Sequence, residues 1–405
     1  MSKPTVSVIV VSRERPEALR RCLTGIAQLD YPAFEVVVVA DEAGLAVVPD
    51  FMKAVPCDVP NISVARNLGL AHAAGEIVAF IDDDAVPEPT WLTYLCAPFA
   101  ALDIAASGGF VLGRNGISFQ WKARMAFPDG SAVAMEVDPE KPTILTGEPG
   151  RAIKTEGTNM AFRRVRLVAL GGFDPAFAFY LDETDVNMRL AATRAKVAIV
   201  PNAQVHHGFA ASARRTDTRV PRDLSAIGRS LKAFVRKYDP KADLGRIFRA
   251  ERNAQRNRLL RHMRDGTLMP GDVQRILKTF EEGWKADDSV EVARPNFNNP
   301  PDFLWIVPEF GDKPTAVLSG RFWQKKRIYA QANALVAEGR RVSILLFSFS
   351  SLYHNSYFDS AGYWVQRGGQ FGRSVRHGPL VQFWTSKSRI RHEVARNSNI
   401  RNVGR

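Results

Sequence analysis

The chain has 405 residues, 45% of them hydrophobic, and a formal net charge of +13. This length excludes a single small module and leaves room for two or three domains, because one domain usually has about 100–200 residues. The cysteines Cys22, Cys57 and Cys96 are far apart and lack paired spacing, which argues against a disulfide framework or a zinc knuckle.

Short apolar runs alternate with helical patterns over roughly the first half of the chain, as in a mostly parallel α/β sheet with crossover helices. The predicted strands are Val6–Val11, Glu35–Val39, Ile62–Ala65, Glu76–Ile81, Gly108–Leu112 and Lys196–Val200. A helix begins near Pro16, since Leu19, Cys22, Leu23 and Ile26 recur at helical spacing. Residues 115–156 are rich in Gly, Pro and polar residues and predict a loop that includes a mobile flap.

A strongly basic helical segment is predicted next. Residues 211–270 contain sixteen Lys and Arg against six Asp and Glu. A helix from Leu224 to Tyr238 is apolar on one face, and helices over 246–263 and 272–284 follow. The other faces of the Leu224–Tyr238 helix carry Arg229, Lys232, Arg236 and Lys237. The Asn- and Pro-rich stretch Arg294–Pro301 then predicts a linker.

A second strand-helix-strand pattern follows the linker, over Thr315–Gly320, Gln324–Glu338 and Val342–Phe347. It resembles the opening of a nucleotide-binding α/β domain, although the remaining residues are too few to complete one. We therefore predict an α/β domain over residues 1–215, a basic helical segment over 216–293 and a small α/β region of unknown role over 294–405.

Three adjacent carboxylates, Asp82-Asp83-Asp84, follow the predicted buried strand Glu76–Ile81. The carboxyl ends of parallel strands form the edge where open α/β sheets place their ligands. Neighbouring like charges repel, and a hard divalent cation relieves that repulsion while leaving positions for substrate phosphate oxygens. A solvated turn is the alternative, but the buried strand before the triplet, with Pro87 and Pro89 after it, favours a functional site.

Several motifs occur in a characteristic order over residues 4–210. They are Ser7–Pro16, Glu35–Asp41, Ala65–Gly69, Gly75–Asp84, Gly157–Phe162, Gly171–Asp174, Asp182–Leu190 and Val205–His207. Through this ordered set the chain resembles the family 2 glycosyltransferases. The resemblance implies the α/β nucleotide-diphosphosugar transferase (A-type) fold, a nucleotide-diphosphate sugar as donor and a divalent metal, Mg²⁺ or Mn²⁺, as cofactor.

The resemblance also implies roles in the donor site. Asp41 is similar to the carboxylate that hydrogen-bonds the nucleotide base, Arg66 resembles a donor-site residue, and Asp82 is expected to face the ribose. An ordinary turn carboxylate and a surface cation are the alternatives for Asp41 and Arg66. The expected nucleotide-sugar-binding set further includes Ser12, Asp83 and Asn159, the last lining the cleft or satisfying a turn.

The expected metal ligands are Asp84 and His206, because family members often place a histidine at this position on the metal. A structural histidine is the alternative for His206, and His207 has no assigned role. The turn Ser12–Pro16 has charged residues where the commoner family motif has Tyr and Asn, so the nucleotide base is left open.

Inverting transfer needs a carboxylate outside the metal site to accept the proton of the acceptor hydroxyl. The family carries it in an acidic pair, usually Glu-Asp, and this chain has the reversed order Asp182-Glu183. A register held by Asp185, Arg189 and Leu190 places Glu183 at the base position, while Asp182 stays open and Asp185 is a helix or acceptor-site contact. Acidic residues also stabilise helix N-termini, which is the purely structural alternative.

Together these features predict an inverting, metal-dependent glycosyltransferase that acts on a saccharide or lipid-linked hydroxyl acceptor in cell-surface polysaccharide or glycoconjugate synthesis. A catalytically inactive sugar- or nucleotide-binding scaffold is one alternative. A sugar-nucleotide nucleotidyltransferase is another, although the sequence lacks a Gly-rich phosphate loop after the first strand.

Without a basic leader or an apolar run of roughly 18–20 residues, the chain is expected to be cytoplasmic. Its basic amphipathic helix could dock on the anionic inner face of the plasma membrane, or form a lid with a solvated charged face. Nucleic acid is not an expected partner, because no zinc-finger, basic-zipper or RNA-binding aromatic motif is present.

Overall fold

The computed structural model describes residues 3–286, 295–306, 310 and 313–403. The strands are β1 Val6–Ser12, β2 Phe34–Ala40, β3 Lys53–Pro56, β4 Ile77–Asp82, β5 Ala85–Pro87, β6 Ile104–Leu112, β7 Phe119–Trp121, β8 Ala123–Ala126, β9 Ala132–Met135, β10 Thr143–Thr146, β11 Ala152–Lys154, β12 Met160–Arg163, β13 Lys196–His207, β14 Ala316–Gly320, β15 Val342–Ser348, β16 Asn355–Asp359 and β17 Tyr363–Gly369. The α-helices are α1 Pro16–Ala27, α2 Glu42–Leu45, α3 Ile62–His72, α4 Trp91–Cys96, α5 Arg164–Ala169, α6 Asp182–Ala192, α7 Ser225–Tyr238, α8 Leu244–Arg264, α9 Pro270–Lys285, α10 Lys325–Ala337 and α11 Ser386–Arg401.

A ten-stranded sheet with the order β10-β13-β6-β12-β4-β1-β2-β3 forms the centre of the molecule, and β5 and β7 pair with β13 and β6. The pairs β3-β2, β2-β1, β1-β4 and β6-β13 are parallel, whereas β12 and β10 run against their neighbours. Every residue of β2 is buried, as expected for a strand covered on both faces. The predicted α/β class with a mostly parallel central sheet is confirmed.

The predicted strand Ile62–Ala65 is wrong, because these residues begin helix α3. The Asn61 side chain accepts a hydrogen bond from the Val64 amide at 3.2 Å and so caps the helix. The β-branched residues Ile62 and Val64 favour a strand locally, but the cap and the longer run to His72 outweigh that preference.

The predicted loop over 115–156 is also wrong, since this stretch contains the short strands β7 to β11. Strands β11, β8 and β9 form a separate three-stranded sheet. These strands have three or four residues each, too few for an alternating pattern to stand out in the sequence. The other two, β7 and β10, join the central sheet.

The basic segment is helical as predicted and forms α7, α8 and α9. The apolar face of α7 is covered, since Leu231 and Phe234 pack in a cluster with Phe177. Two of its cations contact protein groups: Lys232 Nζ donates to a main-chain carbonyl at 2.8 Å, and Lys237 Nζ lies 2.6 Å from a carboxylate. Within the described part of the chain, no helix combines the length and apolar character needed to cross a membrane.

The predicted strand-helix-strand pattern after the linker is confirmed as β14, α10 and β15. It is extended into a four-stranded sheet, β14-β15-β17-β16, and helix α11 follows. Residues 295–301 contain no helix or strand, and Arg294 lies outside the described residues. The division into three parts, with boundaries at 215/216 and 293/294, stays a prediction.

Candidate active site

The acidic triplet lies at the carboxyl end of β4, in the turn that leads into β5. Asp82, Asp84 and His207 each bring one potential ligand atom to within 4.8 Å of the others. The Asp82 side chain is 28% exposed and Asp84 only 1%, so the cluster opens to solvent on the Asp82 side. Two carboxylates and one imidazole thus meet at the predicted sheet edge.

His207, rather than His206, is the histidine in this cluster. His207 Nε2 lies 3.2 Å from Asp84 Oδ1, and its Nδ1 contacts Gln120 Oε1 at 3.0 Å. His206 Nε2 instead contacts Glu88 Oε1 at 2.7 Å. The expected ligation by His206 therefore disagrees with the geometry, because adjacent strand residues point to opposite sides.

Two arginines that carried no assigned role also approach Asp84. Arg15 Nη1 lies 3.4 Å and Arg215 Nη2 3.6 Å from Asp84 Oδ2, and the Ala210 amide donates to the same oxygen at 2.8 Å. Burial alone would raise the pKa of Asp84, but His207, Arg15 and Arg215 outweigh it and hold that pKa well below its usual range. Asp84 is therefore ionised at neutral pH.

Asp83 and Ser12 hold the turn together. Asp83 is fully buried, Ser12 Oγ donates to its Oδ2 at 2.7 Å, and Arg15 Nη2 lies 2.7 Å from Oδ1. Burial raises the pKa of Asp83 to about 7, against the opposing effect of Arg15. Asp83 has no exposed surface and does not line the cavity beside Ser12, so the structure assigns it to holding the turn, in disagreement with the expected nucleotide-sugar contact.

Arg66 connects the acidic turn to the acidic pair at the start of α6. Its Nη2 lies 3.3 Å from Asp82 Oδ1 and donates to the Gly157 carbonyl at 3.0 Å, while Nη1 forms an ion pair with Asp182. Burial raises the pKa of Asp182 to about 7, with Arg66 opposing and Glu183 adding to the rise. The predicted donor-site and base residues therefore form one continuous network.

Glu183 is the accessible member of the acidic pair. Its side chain is 16% exposed, against 5% for Asp182, and it lines a cavity of about 610 Å³. Lys154 on β11 forms an ion pair with Glu183 and lies 2.6 Å from Thr184 Oγ1. Burial alone would raise the pKa of Glu183, but the ammonium group of Lys154 lowers that pKa to about 2. Lys154 comes from the stretch predicted to be a loop, and no local signal marks it.

The backbone before the pair is strained. Tyr180 and Leu181 have φ angles of 75° and 67°, in the left-handed region that non-glycine residues rarely adopt. Such strain persists where the surrounding structure enforces it, often at functional sites. Here it turns the chain so that α6 begins with Asp182 and Glu183 facing Arg66 and Lys154.

Asn159 and Asp185, both predicted in the site, are fully buried structural residues. Asn159 Nδ2 donates to the carbonyls of Phe110 at 3.0 Å and Ala203 at 2.8 Å, and its Oδ1 accepts from Trp91 at 2.8 Å. Its side chain therefore joins β6, β13 and α4, and it lines neither the cavity beside Ser12 nor the one beside Glu183.

Asp185 is tied within α6 and to the basic segment. Its carboxylate lies 2.7 Å from Arg189, 2.6 Å from Lys237 and 2.6 Å from the Tyr238 hydroxyl. Of the two expected roles, its contacts fit the helix contact, since the carboxylate is fully buried between α6 and α7.

The turn after β1, residues 12–15, lines a second cavity beside the acidic triplet. This cavity of about 160 Å³ is lined by Ser12, Asp82 and the strip 212–215, among others. Arg214 lies over the Phe179 ring at 4.5 Å from its centroid. Asp41 lies just behind, accepting from the amides of Glu14 at 2.9 Å and Gly44 at 3.0 Å. Asp82 lines this cavity and also belongs to the cluster with Asp84 and His207, so the cavity and the cluster are adjacent.

Comparisons with known proteins identify the family of the chain. Residues 4–225 match the family model described as glycosyltransferase like family 2. The chain is 30% identical over 190 residues to the glucosyl-dolichyl phosphate glucuronosyltransferase of Haloferax volcanii, covering 42% of this chain and 56% of that protein. It is 28% identical over 214 residues to the pre-mycofactocin glycosyltransferase of Mycobacterium tuberculosis, covering 50% of this chain and 42% of that protein. The chain thus spans about half the length of the curated relatives it matches.

Among solved structures, the chain is similar to a crystal structure of GalNAc-T7 with UDP, GalNAc and Mn²⁺. The TM-score is 0.46 at 15% identity, over 70% of this chain and 55% of that one.

Proposed function

We propose that this chain, which belongs to glycosyltransferase-like family 2, transfers a sugar from a nucleotide-diphosphate sugar to a hydroxyl acceptor with inversion at the anomeric carbon. The observation that carries the proposal is the meeting of Asp82, Asp84 and His207 within 4.8 Å, with Arg66 joining this cluster to the Asp182-Glu183 pair. The first group suits a divalent cation that would neutralise the donor diphosphate, and the second suits proton transfer.

The cluster fits a divalent metal ion. Two carboxylates and an imidazole whose ligand atoms are this close form a donor set suited to Mn²⁺ or Mg²⁺. Asp82, Asp84 and His207 would hold the ion, which when bound would neutralise charge on the donor diphosphate. Arg15 and Arg215 already lie beside Asp84 and add positive charge where the diphosphate would sit.

The nucleoside would occupy the cavity lined by Ser12, Asp82 and residues 212–215. Asp41 does not line this cavity. The two oxygens of its carboxylate accept hydrogen bonds from the backbone amides of Glu14 and Gly44. Asp41 therefore supports the base-binding turn, and we propose direct contact with the nucleoside only for Ser12, Asp82 and the 212–215 strip.

Glu183 is the proposed base. Its ionised carboxylate accepts the proton of the acceptor hydroxyl while that oxygen forms a bond to the anomeric carbon. On the opposite face, the bond between this carbon and the diphosphate oxygen breaks, and the nucleoside diphosphate leaves with the electron pair. Geometry favours Glu183 over Asp182, because Asp182 is buried against Arg66 whereas Glu183 faces a cavity.

The test compares Glu183→Gln with Asp182→Asn on a panel of nucleotide sugars with Mg²⁺ or Mn²⁺. We expect Glu183→Gln to lower kcat by about 100-fold or more, the usual range for loss of a general base, while nucleotide affinity changes little. Glu136→Gln, at an exposed glutamate away from both cavities, is the matched control. If Asp182→Asn abolishes transfer while Glu183→Gln does not, the base assignment is wrong. Nucleotide-sugar binding without any turnover in the wild type would support an inactive scaffold.

The wider role is also a proposal. We propose a saccharide or lipid-linked acceptor and a part in cell-surface polysaccharide or glycoconjugate synthesis, in the cytoplasm. Attachment to an anionic membrane surface would rest on the exposed basic side chains of α8, because the apolar face of α7 is covered. Binding of the protein to anionic vesicles, with neutral vesicles as control, tests that attachment.

A further inference from the structure

A large cavity lies between the central sheet and the C-terminal region. It has a volume of about 800 Å³. One side is formed by the stretch from Leu112 to Arg124, with Met135 from β9. The other side is formed by residues 375–378 and by the end of α11 around Arg396. Neither the metal cluster nor the nucleoside cavity accounts for it.

The charged side chains that line this cavity are mostly cationic. They are Lys122, Arg124, Arg376, Arg396 and Arg401, against the single carboxylate Glu88. Glu88 is bound by Arg401 at 2.9 Å, Arg124 pairs with Glu156 at 2.6 Å, and Arg396 with Glu393 at 3.0 Å.

Two cations remain on opposite walls. Within the described ranges, Lys122 and Arg376 have no carboxylate within ion-pair distance, and both are exposed. Lys122 Nζ lies only over aromatic rings, at 5.2 Å from the Phe119 centroid. The cavity therefore offers positive charge that no protein group neutralises.

The rest of the lining suits hydroxyl-rich ligands. Side-chain amides of Asn202, Gln204 and Asn397 face the cavity, together with the ring of Trp121. His206, 8% exposed, also lines it, and its Nδ1 has no hydrogen-bond partner. Amides donate to and accept from hydroxyl groups, and a flat aromatic ring gives a sugar an apolar face to pack on.

This cavity continues toward the proposed base. Trp121 and Arg124 line both it and the 610 Å³ cavity that contains Glu183. The Trp121 ring centroid also lies 5.9 Å from that of His207. A chain of sugars in the large cavity would therefore extend past Trp121 and Arg124 toward Glu183.

We infer that the 800 Å³ cavity binds the acceptor, and that the acceptor is an acidic saccharide whose sugars carry carboxylate or phosphate groups. This inference rests on the proposed function, because it takes the cluster of Asp82, Asp84 and His207 and the cavity beside Ser12 as the donor site. It also gives the C-terminal region a role: residues 375–378 and α11 complete the acceptor cleft.

Calorimetric binding to the full chain tests the inference. The probes are a galacturonate hexasaccharide, its neutral counterpart with every carboxyl reduced to an alcohol, and a phosphorylated mannose hexasaccharide. We expect at least one acidic probe to bind about tenfold or more tightly than the neutral one, because a charge-assisted contact contributes about that factor. Preference for the galacturonate or for the phosphate probe identifies which acidic group is recognised.

The double variant Lys122→Gln/Arg376→Gln should lose about tenfold or more of the acidic-probe affinity. Lys326→Gln/Arg391→Gln is its charge-matched control, since both residues are exposed and outside the cavity lining. Both double variants should melt as the wild type does, because none of the four side chains has an ion-pair partner among the described residues.

Equal affinity for acidic and neutral probes would overturn the inference, as would an equal loss in the control variant. Wild-type hydrolysis of nucleotide sugars, measured without acceptor, separates the two proposals. Turnover without acid-selective binding overturns the acceptor inference alone. Acid-selective binding without turnover of any donor overturns the proposed function and leaves an acidic-saccharide site.

Discussion

Glu88 joins the central sheet to the C-terminal region, and its removal should destabilise both. Its side chain is fully buried, and Arg401 binds it through two contacts of 2.9 Å, Nε to Oε2 and Nη2 to Oε1. His206 adds a third contact at 2.7 Å. Arg401 is itself 2% exposed and lies 4.4 Å from the Trp364 centroid. The substitution Glu88→Gln would leave the Arg401 charge buried without its partner.

The size of the effect follows from the titration of Glu88. Burial alone would raise its pKa, but Arg401 and His206 lower it from 4.5 to about 2. Such a shift corresponds to about 3 kcal/mol of stability at neutral pH. Removing one partner of a buried ion pair usually costs about 3–5 kcal/mol of stability. The value from the pKa shift lies in this range. Because the folded pKa is depressed, this stabilisation is present above about pH 4.5 and is lost as the pH falls toward about 2.

Denaturant unfolding of the wild type and of Glu88→Gln at pH 7 and at successively lower pH measures both quantities. We expect the variant to lose about 3 kcal/mol at pH 7 and the difference to shrink as the pH falls below 4.5. Glu338→Gln, at an exposed glutamate after α10, is the control. A loss below about 0.5 kcal/mol at pH 7, the scale of ordinary surface changes, would refute the reasoning.

Three further outcomes are expected. His207→Ala should weaken Mn²⁺ binding, measured by titration calorimetry, by about tenfold or more, whereas His206→Ala should leave it near the wild-type value because His206 contacts Glu88. Asn159→Ala should lower the free energy of unfolding by about 2 kcal/mol, since it leaves buried polar partners unsatisfied. Lys154→Gln should move the acidic limb of the kcat/KM profile to higher pH, because the cation that depresses the pKa of Glu183 is gone; an unchanged limb would show that Glu183 is not the titrating base.

The fold is largely predictable where strands are long and buried on both faces. β2 is a continuous run of buried residues, and the helix that follows β1 has its apolar residues at helical spacing. Prediction of secondary structure from the sequence fails where a local conformational preference competes with contacts made elsewhere in the fold. Ile62–Ala65 has strand-forming residues but forms a helix, and β7 to β11 are too short to show a period. Two of them, β10 and β11, also pair with strands that are not their neighbours in sequence, β13 and β8.

At the site, the sequence predicts which residue types meet but not how each one is used. Asp83, Asn159 and Asp185 are polar residues in motifs, and all three turn out to be fully buried. Burial of a polar side chain depends on the donors and acceptors around it, which come from other elements. Lys154 shows the converse, since a lysine in an unremarkable stretch reaches Glu183 only through the pairing of β11 with β8.

The two adjacent histidines show most clearly why a motif alone could not assign the ligand. Both end strand β13, where successive side chains point to opposite sides. His207 therefore meets Asp84, and His206 meets Glu88 and the Trp364 ring, 4.5 Å away between centroids. A one-residue change of register would exchange the two roles, and only the pairing of β13 with β5 and β6 fixes it.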